Sequence, residues 1–82
     1  MSDKTKESIE VMARFDRQGQ VTPLSFVWRK HVYPVVSTGR RWTNEAGQHV
    51  LVMVPGEKVY DLIFVPGEGR WYLERLGERH TA

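Results

Sequence analysis

Two four-residue segments, Val54-Pro55-Gly56-Glu57 and Val65-Pro66-Gly67-Glu68, repeat one pattern at an interval of eleven residues. Each closes an apolar run, Val50 to Met53 in the first case and Leu62 to Phe64 in the second. Proline presets φ at the second position of a tight turn, and the following glycine accepts the positive φ of a type II turn. Each Pro-Gly-Glu therefore predicts a chain reversal, and the interval between them holds one strand and one turn. Three consecutive antiparallel strands follow, His49 to Val54, Lys58 to Val65 and Arg70 to Leu76.

The N-terminal half extends the pattern. Ile9, Val11, Ala13 and Phe15 alternate with Glu10, Met12, Arg14 and Asp16, the period of a half-buried strand. A helix is the competing reading, because Lys4 to Arg14 also holds helix formers. Arg17 to Gln20 reads as a hairpin turn. Val21 to Trp28 is a second strand with Leu24, Phe26 and Trp28 on its core face, and Arg29-Lys30 is a two-residue reversal despite the positive φ such turns demand. His31 to Thr38 is a third strand, and Pro34, which cannot donate to a ladder, places it at an edge or a bulge. Gly39 to Gln48 is the longest polar connection and carries Arg40, Arg41 and Trp42. The prediction is an all-β antiparallel meander of five to six short strands, strongly curled or closing into a small, partly open barrel, since a flat sheet would expose an apolar face and its edges. Residues 1–8 and 77–82 read as disordered or flexible polar tails around one domain over 9–76.

An 82-residue chain buries only about 60–65% of its unfolded surface. Its 40% apolar content, with three each of Trp, Tyr and Phe, suffices for one compact core. No cysteine is present, so neither a disulfide nor a thiolate site supports the fold. The polar N-terminus lacks a signal-peptide core, and no run approaches the ~20 apolar residues of a membrane span, so a bacterial-type cytoplasmic monomer is the expectation.

The aromatic spacing carries a resemblance: Trp28-Arg29 before a turn, Tyr33-x-Val35, Trp42, Val59-Tyr60-Asp61-Leu62, and Gly69-Arg70-Trp71-Tyr72-Leu73. Over about residues 9–76 the chain resembles a family of small bacterial β-rich domains of unassigned function. Similar sequence occurs as a C-terminal appendage of some proteins related to Y-family DNA polymerases. The chain departs from the pattern after Leu76, where Gly77-Glu78-Arg79 stands in place of an aromatic-acidic finish. The resemblance implies a setting of nucleic-acid metabolism, such as DNA repair, and no activity.

No nucleophile–base pair, phosphate-cradling glycine motif or pair of carboxylates in a cleft is visible, so no catalytic residue, metal or cofactor is assigned and the chain reads as non-enzymatic. His31 and His49 would become neighbours if the third and fourth strands paired, but a metal site needs more converging ligands. Asp61, opposite in phase to Tyr60, reads as a surface partner of Arg70, Arg75 or Lys58. The net charge of +2 is unevenly placed, because no acid lies between Asp16 and Glu45. Arg29, Lys30, Arg40, Arg41 and Trp42 in that segment are the candidate nucleic-acid contacts, cations for phosphates and a ring for stacking bases. Trp28, in phase with Phe26, belongs to the core. The alternatives are a protein-interaction module that takes a partner strand on an exposed sheet edge, and a purely structural appendage.

Overall fold

The computed structural model describes residues 6–75. Seven strands account for most of them: β1 (Glu7–Phe15), β2 (Val21–Trp28), β3 (His31–Pro34), β4 (Ser37–Asn44), β5 (Gly47–Val54), β6 (Lys58–Val65) and β7 (Arg70–Arg75). They form one antiparallel sheet in the order β3-β2-β1-β7-β6-β5-β4, curled into a half-barrel. The fold is all-β, with more strands than the five or six expected. Of the two expected tails, residues 1–5 and 77–82 lie outside the described residues, as does Leu76. Glu7 and Ser8 belong to β1 and pair with Leu73 and Tyr72.

The additional strand comes from the segment read as a long polar loop. Ser37–Asn44 pairs with β5 along its length, and its side chains are exposed except for a half-buried Trp42. An edge strand with no buried face carries no alternation, so its sequence has no strand signal. The chain turns a corner just before it. Val35 N–H donates to Leu24 O of β2, and Val36 N–H donates to Met53 O of β5. Neighbouring residues thus pair with opposite sides of the curl, which draws the two sheet edges together.

Two irregularities tune the curvature. Met12 faces Ser25 but Ala13 faces Pro23, so Leu24 is an extra residue on β2. Such a bulge reverses the side-chain phase and sharpens the twist. Val21, Pro23, Phe26 and Trp28 consequently face the core, whereas Leu24, expected there, is 45% exposed. A second register shift lies between Thr38 and Arg41 of β4. The interior gathers Phe26, Val50, Val52, Val54, Leu62 and Leu73, with Trp28 and Tyr60 at one end and Trp71 at the other. Trp28 is core, as its phase indicates.

The repeated Pro-Gly-Glu builds two different corners. At the first, Glu57 N–H donates to Val54 O and Gly56 has φ 90, a type II geometry. At the second, Glu68 and Gly69 both donate to Val65 O, Gly67 has no positive φ, and Gly69 takes the left-handed position with φ 66. The expectation of a type II turn at Gly67 fails because the loop there is one residue longer, between Val65 and Arg70.

Arg29 and Lys30 form the two-residue β2–β3 reversal with φ 53 and 69. Left-handed backbone costs a non-glycine residue about 1–2 kcal/mol. Lys30→Gly should therefore stabilise the domain by about 1 kcal/mol. A thermal melt checks this, and an unchanged or lower midpoint would show the turn to be unstrained.

Candidate functional site

β4 to β7 carry alternate residues on the two faces of the curl. Val50, Leu62 and Leu73 point inward to the core. Their neighbours in sequence make a row on the outer face: Trp42 is opposite His49, His49 opposite Ile63, Ile63 opposite Tyr72, and Tyr72 opposite Ser8. Trp42 and Tyr72 therefore lie in one cross-strand row, three strand spacings or about 14 Å apart. A cation lies over each ring, with the Arg40 guanidinium 5.2 Å from the Trp42 centre and Lys6 Nζ 5.1 Å from the Tyr72 centre. Tyr72 O–H donates to Glu68.

Trp42 rests on His49, ring centres 4.6 Å apart and planes within 15°. β4 is an edge strand, so beyond the other face of the indole there is no further strand. His49 is itself fixed from beneath. Its Nδ1 lies 2.9 and 3.1 Å from the two Asp61 oxygens, and its Nε2 lies 2.9 Å from Asn44 Oδ1. Ala46 N–H donates to that same Oδ1, which identifies the Asn44 atom as the oxygen. Nε2 must therefore donate to it, and one further proton lies between Nδ1 and Asp61. The carboxyl of Asp61 is raised above its ordinary range, first because it is buried and against the opposing hydrogen bond from His49.

Asp61 is thus not the surface partner of Arg70, Arg75 or Lys58. It is 4% exposed, because β6 lies inside the sheet and both of its faces are covered from Tyr60 to Ile63. Its partner is His49, twelve residues away, reached only through the β5–β6 register. His31 and His49 do not meet either. His31 faces Trp28 at one end of the sheet, and His49 faces Trp42 near the other. Among the described residues no cluster of three or more metal-ligating side chains occurs.

The five sequence-predicted contacts divide into two groups. Arg29 and Lys30 sit at the end marked by Trp28, Tyr60 and Arg75, and Arg29 is already engaged. Its guanidinium stacks 4.7 Å from the Trp28 ring and bonds the Glu7 carboxylate at 2.9 Å, while the Trp28 indole N–H donates to the other Glu7 oxygen. The indole bond and then Arg29 hold the Glu7 carboxyl below its ordinary value. Arg41 faces inward beside Val50 and donates to Val21 O at 2.8 Å, spanning the seam between β4 and β2. A cleft of about 260 Å³ opens there between Gln20, Arg41, Gln48 and Trp71. Arg41 is a strap across the curl. Only Arg40 and Trp42 remain together on an open surface. Sequence reading missed their companions Tyr72, Lys6 and His49, although the phase of Tyr72 against buried Trp71 marks it as outward-facing.

The chain matches no protein-family model, no curated protein and no solved structure. Among the described residues no helix is long and apolar enough to cross a membrane.

Proposed function

We propose that this domain is a non-enzymatic binding module for single-stranded nucleic acid, which contacts Trp42 and Tyr72 at either side of the buried His49 and Ile63 on the outer side of β4 to β7. The observation that carries this reading is the row holding Trp42 and Tyr72, each ring accompanied by a cation. Flat rings stack bases without regard to sequence, and cations beside them meet the phosphates. At about 14 Å apart the rings take separate bases. Arg40 and Lys6 can swing from the rings onto phosphate oxygens as bases replace them. The buried Asp61–His49–Asn44 chain gives Trp42 a rigid backing, so little ordering entropy is lost on binding.

A labelled single strand should gain fluorescence anisotropy at low salt, with affinity falling steeply as salt rises. Trp42→Ala and Tyr72→Ala should each weaken binding about tenfold, within the range for loss of one stacked base. Arg40→Ala and Lys6→Ala, at exposed positions, should weaken binding and lower its salt dependence without affecting folding. No anisotropy change at tens of micromolar protein sinks the proposal. The second reading, a protein strand docking on an edge, is favoured by the place of β3 at the sheet margin. It predicts binding indifferent to salt and to Trp42.

A further inference from the structure

The outer face of β1, β2 and β3 continues from the row beyond Ser8, on the far side of β7 from Trp42. Ser8, Glu10, Met12 and Arg14 point outward along β1, and Met12 is 65% exposed. Glu10 is followed across the sheet by Val27 and then Val32, the latter also largely exposed. Met12 is followed by the small Ser25, and the bulge turns Leu24 outward beside it. A shallow apolar groove of about 660 Å³ runs between Met12, Ser25, Val27 and Val32. Solvent-facing apolar side chains collected in one patch mark a contact surface.

The charges on this face point to its partner. Glu10 and Arg14 lie two residues to either side of Met12, one acid and one base at equal distance from an apolar centre. A two-fold axis lying in the contact plane and crossing β1 at Met12 reverses the row. Glu10 of each copy then meets Arg14 of the other, and the two Met12 side chains meet on the axis. The same rotation brings Val27 of one copy towards Thr22 of the other, with Leu24 lying between Thr22 and the axis. An isologous contact needs such self-complementarity, and few short rows supply it. We infer that the chain forms a homodimer by packing the outer faces of β1 to β3 against each other, with Met12 at the centre and two reciprocal Glu10–Arg14 pairs at the rim.

Three short strands cover less than the roughly 800 Å² per partner of a stable interface, so the dimer is weak and forms at tens to hundreds of micromolar. The monomer expected from the sequence is the dilute form.

Sedimentation equilibrium on the full chain over that range tests the inference. Wild type should show reversible dimerisation, and Met12→Asp should abolish it. Glu10→Arg and Arg14→Glu should each weaken the dimer by about tenfold or more at low salt, because symmetry converts both rim pairs to repulsion at once. The double variant Glu10→Arg/Arg14→Glu should recover affinity to within about threefold of wild type, since the swapped pairs are again complementary. All of these side chains are exposed, so a circular dichroism melt should show each variant folded. A chain monomeric throughout, a dimer that survives Met12→Asp, or single reversals as harmless as the double overturns the inference.

Discussion

Asp61→Ala is expected to remove about 3–5 kcal/mol of stability, the usual result of taking one partner from a buried ion pair. A domain of this size has a total of only about 4–12 kcal/mol, so the variant should be substantially unfolded at physiological temperature. The cause is local. His49 is buried, its Nε2 proton is committed to Asn44, and without Asp61 its Nδ1 faces a void with no partner. Replacing both residues, His49→Leu with Asp61→Leu, should restore much of the loss, because neither an unpaired charge nor an unsatisfied nitrogen remains. Urea denaturation of the single and double variants decides the matter. A double variant no better than Asp61→Ala would show that packing volume, not polar pairing, dominates there.

The same carboxyl gives the pH dependence a definite sign. Its folded pKa lies above the ordinary Asp value, so the folded chain holds this proton more tightly than the unfolded chain. The contribution of Asp61 is fully present below the ordinary Asp value and declines as pH rises through the folded value. Glu7 behaves oppositely. Its folded pKa is depressed, so its contribution is present above the ordinary Glu value and is lost as pH falls through the folded one. The stability of Asp61→Asn relative to wild type should therefore rise as pH increases across the carboxylate range. The stability of Glu7→Gln relative to wild type should fall. Denaturation midpoints in the two backgrounds separate the two effects, and parallel curves would refute both.

What could be read from the sequence was local. Pro55-Gly56 and Pro66-Gly67 fix corners within four or five residues, and Phe26 and Trp28 share a phase along a single strand. The missed features depend on register between strands. Ser37–Asn44 buries no face at the sheet edge, so its side chains show no period. Leu24 follows the alternation of β2 in sequence but is turned outward by one inserted residue opposite Met12 and Ala13. Asp61 meets His49, and Trp42 joins Tyr72 in a row, only after β4, β5, β6 and β7 are aligned. Each strand contributes one member to that row, and no single segment encodes it. Charge density misled for a related reason. The acid-free stretch from Arg17 to Asn44 is continuous in sequence, but β3 and β4 carry it around a corner to opposite sides of the curl.

Gly47→Ala should be the most damaging single methyl in the domain. Gly47 opens β5 with φ 140, and a Cβ there would lie 2.6 Å from Phe64 O and 3.1 Å from Ile63 Cγ2. The first contact is with backbone in the middle of the sheet, which cannot yield as a flexible side chain can. Relief requires β5 to lift from β6 where Gln48 faces Phe64, and that breaks the ladder beside His49. The Asn44 cap on Ala46, the Nε2 bond and the Trp42 stack all lie within the same hairpin and would be displaced together. A loss of about 4 kcal/mol or more is expected, in the range reserved for steric conflict and broken buried networks. Gly56→Ala provides the contrast. Gly56 also has a positive φ, at 90, but nothing lies within 4 Å of its Cβ position. There only the backbone strain applies, about 1–2 kcal/mol and a fall in melting temperature of about 5–15 °C. Gly47→Ala should show no cooperative transition under conditions where Gly56→Ala still melts sharply. Equal melting temperatures would mean that the approach of β5 to Phe64 is looser than 2.6 Å allows, and the rigid backing of Trp42 would be lost with it.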